Sequence, residues 1–140
     1  MTKKLCDIIQ CDRTFIWVEW LYQGRLRDTC IWTIQEHEGS WGWRKILQLR
    51  AFLRPMVDYQ IGDWRRFHLW QDPWHSLGPL IETFPQGARL LRLDKSAKLS
   101  TVISGREWQW PMITDFESLE ITHTLPAIRG GDDRVVWRFD

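Results

Sequence analysis

Residues 57–80 read VDYQIGDWRRFHLWQDPWHSLGPL. Two runs rich in β-formers flank Gly62-Asp63, a pair that predicts a tight hairpin turn. In the second run Phe67 and Leu69 alternate with His68, so one side is expected to be buried. Asp72-Pro73 marks a turn, because the aspartate side chain accepts from nearby backbone and the proline ring presets φ. Gly78-Pro79 marks another. The stretch therefore predicts a central β-hairpin whose outgoing strand turns twice. Trp70 and Trp74 would brace that corner, and Asp72 would cap it or pair with Arg50 or Arg54 from just upstream.

Upstream, Ser40 is placed to cap a helix over GWRKILQLRAFLR, and Pro55 stops it because proline disfavours helix in the residue before it. Trp43, Ile46, Leu47 and Leu53 fall on one face of that helix. Residues 12–22, DRTFIWVEWLY, predict an earlier helix capped by Asp12 and stopped at Gly24. Between the two, Cys30 to Ile34 are β-formers and predict a short strand or an extended arm. Downstream, LSTVIS (99–104) predicts a helical turn. Thr114 and Glu117 form a capping box for TDFESLEITHTL. RVVWRF (134–139) predicts a final strand whose hairpin mate is expected to be missing. The expected fold over residues 1–140 is α+β, one small domain with N-terminal helices, a central β-hairpin, a late helix and a C-terminal strand.

The 140 residues are enough for one ordinary domain. Eleven tryptophans are spread along them, and tryptophan serves either as a large core filler or as a stacking surface for bases. The net charge of +1 argues against a strongly basic nucleic-acid binder. The charge is nonetheless polarised. Residues 43–66 carry six Lys or Arg against two acids, whereas residues 107–123 carry four acids and no Lys or Arg. Cys6, Cys11 and Cys30, an odd count with no secretion signal, read as reduced thiols. MTKKLCDIIQ has no apolar run after its lysines, and no stretch is long enough to span a bilayer. A cytoplasmic or nuclear chain with no membrane partner is expected.

Catalytic chemistry finds little footing. Cys6-x4-Cys11 lacks a second Cys/His pair, and His68, Asp72 and His75 fit no standard ligand spacing, so neither a metal nor a cofactor is expected. No GxSxG, phosphate-cradling glycine loop or paired strand carboxylates occur. Asp132-Asp133 follow two glycines and read as a solvated turn. The chain is expected not to be an enzyme. Arg44, Lys45, Arg65 and Arg66, however, interleave with Trp41, Trp43 and Trp64. Cations that meet phosphates beside aromatics that stack bases are the chemistry of nucleic-acid contact. Trp64, just past the turn, is expected to be exposed.

The order of these motifs resembles plant LINE-type (non-LTR) retrotransposon polyproteins. The resemblance rests on WRKILQLRAFLRPMVDYQIGDWRRFHLWQDPWHSLGPLIETFP, then LSTVI, W-x-W-P and DRVVWRF, with FIWVEWLYQGRLRD upstream, and it covers nearly the whole chain. In that family the segment lies between the reverse transcriptase and a Cys/His zinc-binding domain. This sequence carries neither an F/Y-A-D-D polymerase motif nor a zinc knuckle. Where the family has I-G-D-G, this chain has I-G-D-W, placing Trp64 at a turn glycine. The resemblance implies a non-catalytic accessory segment of a reverse transcriptase that contacts RNA or DNA through Arg44, Lys45, Trp64, Arg65 and Arg66. The alternatives are a piece that packs on other domains of the same polyprotein, and a degenerate fragment with no function.

Overall fold

The computed structural model describes residues 2–10, 15–27, 29–35, 39–111 and 116–138. The expected Asp12 cap and the Thr114 end of the capping box lie outside them. The fold is α+β, and the chain divides into two compact units, Met1–Asp58 with Val135–Asp140, and Tyr59–Arg134.

The first unit is helical. α1 (Thr2–Gln10) buries Leu5, Ile8 and Ile9 and packs on the helix Trp41–Gln48. Their i, i+3, i+4 spacing is that of one helix face, a signal that MTKKLCDIIQ carries and that testing it only for a leader leaves unused. α2 (Ile16–Gln23) begins after Phe15 and ends at Gly24, whose N–H reaches the Trp20 and Leu21 carbonyls. α3 (Trp41–Gln48) is capped as expected: the Ser40 hydroxyl oxygen accepts from the Trp43 N–H at 3.3 Å. After Leu49 come the single turn α4 (Arg50–Leu53) and a 3-10 turn that holds Pro55. Trp43, Ile46, Leu47 and Leu53 are all buried.

Cys30 to Ile34 are not a strand. The N–H groups of Thr33 and Ile34 both return to the Cys30 carbonyl, closing a turn. The Arg50 guanidinium explains the choice. It donates to the carbonyls of Ile31 and Ile34 at 3.0 and 2.8 Å, and its Nε to Leu47 at 3.0 Å. Buried carbonyls need partners, and here a side chain supplies them instead of a neighbouring strand.

The central hairpin is corrected as well. β1 (Val57–Gln60) pairs with β4 (Arg134–Trp137), so the last strand finds its mate within the chain. The chain leaves the first unit within β1 and returns to it within β4. Residues 62–67 are bends, and His68 makes only an isolated bridge to Lys98. Two facts forbid a ladder here. A Cβ on Gly62 would stand 2.2 Å from the Asp132 carbonyl oxygen, so this glycine serves close backbone approach. The alternate N–H groups of Gly62, Trp64 and Arg66, which one edge of a strand would offer to a partner, are taken by the Asp133 carboxylate.

The hairpin the chain does form lies in the second unit. β2 (Ile103–Ser104) and β3 (Glu107–Trp108) pair antiparallel, with Ile103 opposite Trp108. Gly105 and Arg106 between them have φ of 58° and 64°, the double-positive pattern of a two-residue turn that suits strand twist. Leu99–Thr101 is a 3-10 turn, matching the helical turn expected there. Short helices α5 (Leu80–Thr83) and α6 (Gly87–Leu90) and the late helix α7 (Phe116–His123) complete the unit. Its buried residues include Phe67, Leu69, Trp70, Leu80, Phe84, Leu99, Val102 and Ile121.

Candidate nucleic-acid interface

The structure sorts the tryptophans that composition leaves ambiguous. Trp32, Trp43, Trp70 and Trp74 are core, whereas Trp20 and Trp41 are 65 % and 64 % exposed. Trp64 is half-buried rather than exposed.

Trp64 sits in the most constrained loop of the second unit. Asp133, only 5 % exposed, receives the N–H of Gly62 at 2.7 Å and of Trp64 at 3.0 Å on Oδ1, and of Arg66 at 2.8 Å on Oδ2. Three alternate backbone N–H groups thus converge on one carboxylate, an anion-holding nest. Asp133 is therefore not the solvated turn residue its sequence context suggests. Gly130 and Gly131, at φ of 81° and 72°, bend the chain just before it. The nest also explains the backbone of Trp64, whose φ is 56°. An L-residue in that left-handed region costs about 1–2 kcal/mol and glycine escapes the cost. Trp64→Gly is accordingly expected to stabilise the unit by about 0.5–1 kcal/mol, and Trp64→Ala, which keeps its Cβ, is not. Urea midpoints of the two variants check this.

The clamp presents cations. Arg65 is exposed and Arg66 half-buried, with its guanidinium 5.8 Å from the Phe67 ring centre. Lys98 Nζ donates to the Arg66 carbonyl at 3.0 Å. The Arg129 N–H donates to Ile61 at 2.9 Å, and Arg106 Nη2 to the Arg129 carbonyl at 3.3 Å. Arg129 and Arg134 line a concavity of about 280 Å³ together with Gln60, Ile61, Gly130 and the acidic Asp132. Sequence reasoning singled out Arg65 and Arg66, whereas Lys98, Arg106, Arg129 and Arg134 are brought near this part of the unit by contacts distant in sequence.

Arg44 and Lys45 belong to the first unit. Both are exposed on α3, and the Lys45 ammonium stands 5.5 Å from the Trp41 ring centre, within cation–π range. The five candidate contact residues thus form two groups, one in each unit.

The corner residues Trp70, Asp72 and Trp74 are brought together, while Arg50 and Arg54 belong to the first unit, where Arg50 caps the carbonyls described above. Asp72 Oδ2 accepts from the His68 N–H at 2.7 Å and lies 3.4 Å from His68 Nδ1. It closes the turn behind it, four residues back, rather than ahead. The Trp70 indole donates to the Asp94 carbonyl at 3.2 Å, and the Trp74 indole to the Leu69 carbonyl at 2.9 Å. Trp74 stacks on Trp108 at 5.2 Å. His75 is buried; its Nδ1 accepts from the Leu77 N–H at 3.1 Å, so Nε2 is the donor to the Ile121 carbonyl at 3.0 Å. Both ring nitrogens being engaged by backbone, His75 does not share a ligand set with His68 and Asp72. Burial first, and the Asp7 carboxylate second, push the Cys6 thiol above its ordinary range, so it stays protonated at neutral pH.

The second unit defines a small α+β body with an arginine-bearing loop held by one buried carboxylate. In sequence, the chain is 32 % identical over 124 residues to an Arabidopsis thaliana protein named as a ribonuclease H protein. The match covers 83 % of this chain but 19 % of that protein, so the chain spans about a fifth of its relative's length. No family model matches the chain, and no solved structure does. Among the described residues no helix is long and apolar enough to cross a membrane.

Proposed function

We propose that the chain is a non-catalytic segment of a longer plant retroelement polyprotein of the LINE type, and that it contacts RNA or DNA through phosphate-binding arginines. The observation that carries this is the Asp133-clamped loop. It fixes the backbone of Arg65 and Arg66 while Lys98, Arg106, Arg129 and Arg134 gather around it. A preorganised cationic loop loses little freedom when it meets phosphate. The Arabidopsis relative, matched over 19 % of its length, supports the reading of this chain as one segment of a longer plant polyprotein. The non-catalytic reading is supported by the two buried carboxylates among the described residues, Asp72 and Asp133, which both accept backbone N–H groups.

The test is a polarisation titration of fluorescein-labelled structured RNA and duplex DNA at two salt concentrations. Each phosphate contact contributes a slope of about −0.9 to the log–log salt dependence on duplex DNA, so R65A/R66A is expected to weaken binding and flatten the slope by about two. Binding that is insensitive to salt and to these substitutions would overturn the proposal. A second reading, packing on other domains of the same polyprotein, is favoured by Ile16 and Trp20. They stand one helical turn apart on α2 and are 87 % and 65 % exposed.

A further inference from the structure

The first unit holds a second site that the basic loop does not use. A pocket of about 380 Å³ opens between α1, α2 and α3, within the size range of ligand sites. Its aromatic walls are Trp17, Trp20 and Trp43. Its polar lining is made of donors: the ammonium of Lys4, the guanidinium of Arg25 and the Ser40 hydroxyl, whose oxygen already serves the Trp43 N–H. No Asp or Glu lines it. Arg25 stands 5.8 Å from the Trp43 ring centre.

Two further features belong to residues of this lining. Trp43 is 7 % exposed, and its indole N–H is a buried donor with no hydrogen-bond partner. Such a group is costly unless something accepts from it. Gly42 also lines the pocket, inside helix α3, and a Cβ built there meets nothing within 4 Å. Gly42 is the second residue of α3, and no steric reason demands glycine there.

A ligand that fits this lining is flat and apolar enough to lie on indoles and brings negative charge to Lys4 and Arg25. We infer that the pocket takes one unstacked nucleotide, its base against the tryptophans and its phosphate on the two cations. The choice of nucleic acid rests on the reading proposed above, while the geometry does not. The same helix carries a second, exposed aromatic, Trp41 with Lys45 over its ring, which gives the neighbouring nucleotide of a single strand another place to stack.

The experiment uses the full chain and two probes, a fluorescein-labelled single-stranded oligonucleotide by polarisation and unlabelled mononucleotides by calorimetry. Gly42→Leu adds a side chain at the pocket wall, where a Cβ meets nothing within 4 Å, and is expected to weaken binding roughly tenfold or more while the melting temperature holds or rises. Trp43→Phe removes only the indole N–H and part of one wall. It is expected to weaken binding several-fold while the protein stays folded. Saturable mononucleotide binding, lost in Gly42→Leu, identifies a free nucleotide as the occupant; binding of the oligonucleotide alone, lost in the same variant, identifies a strand. A Gly42→Leu protein that binds both probes like the parent overturns the pocket. If R65A/R66A still weakens duplex binding in that case, the basic-loop reading survives it. A parent chain that binds no nucleic acid of any form overturns both.

Discussion

Asp133→Ala is expected to remove about 3–5 kcal/mol of stability from the second unit, a large share of what holds a domain together. The substitution deletes the carboxylate that accepts the N–H of Gly62, Trp64 and Arg66. Leaving a buried donor unpaired costs about 1–3 kcal/mol. Gly62 is buried and bears that cost in full, while Trp64 and Arg66 are half-buried and recover part of it from water. The left-handed backbone of Trp64 would lose its reason at the same time, since the nest that holds it would be gone. Asp133→Asn keeps one carbonyl oxygen and is expected to lose roughly half as much. Urea unfolding gives the magnitude, and hydrogen exchange at the three amides gives the mechanism. An alanine variant that unfolds at the parent's midpoint with those amides still protected would show that the carboxylate is not the clamp. The same variant bears on function, because a loosened loop no longer presents Arg65 and Arg66 in one conformation.

The second large effect belongs to Trp70. Its side chain is 1 % exposed and meets Phe84 at 6.5 Å and Trp110 at 6.4 Å, both edge-on, the favoured geometry for aromatic pairs. Its indole N–H is satisfied by the Asp94 carbonyl, and its own carbonyl receives the Ile81 N–H at 2.9 Å. α6 approaches so closely that a Cβ on Gly87 would stand 2.5 Å from the indole ring. Trp70→Ala is therefore expected to cost about 3–5 kcal/mol, the transfer of the ring plus the cavity it leaves. Gly87→Ala alone is expected to cost about 1–3 kcal/mol through overpacking. In the double variant the Gly87 methyl group enters the space that Trp70 vacates, so the two losses should sum to less than their separate values. Additive losses in urea unfolding would mean that Gly87 is kept for its backbone and not for this contact.

Local physics made part of this legible in advance. Ser40 caps α3, Gly24 ends α2, Pro55 interrupts the helical run, and the apolar positions of α3 are buried, because each depends on residues within one or two turns. The α+β class follows from the same local signals. So does the candidacy of Arg65 and Arg66, since cations beside aromatics can be read along the chain.

What only the tertiary structure decided involves partners far apart in sequence. Gly62-Asp63 looks like a hairpin turn because the local code for a tight turn is glycine next to a short polar residue. The same two letters also serve a loop whose N–H groups go to a carboxylate 67 to 71 residues away. A strand-like run at Cys30 to Ile34 became a turn because Arg50, 16 and 19 residues on, supplies the N–H donors to its carbonyls that a neighbouring strand would otherwise provide. The final strand pairs with β1 from the middle of the chain. In each case the backbone had to satisfy its hydrogen bonds somewhere. Local sequence states that requirement, and only the folded chain states which distant group meets it.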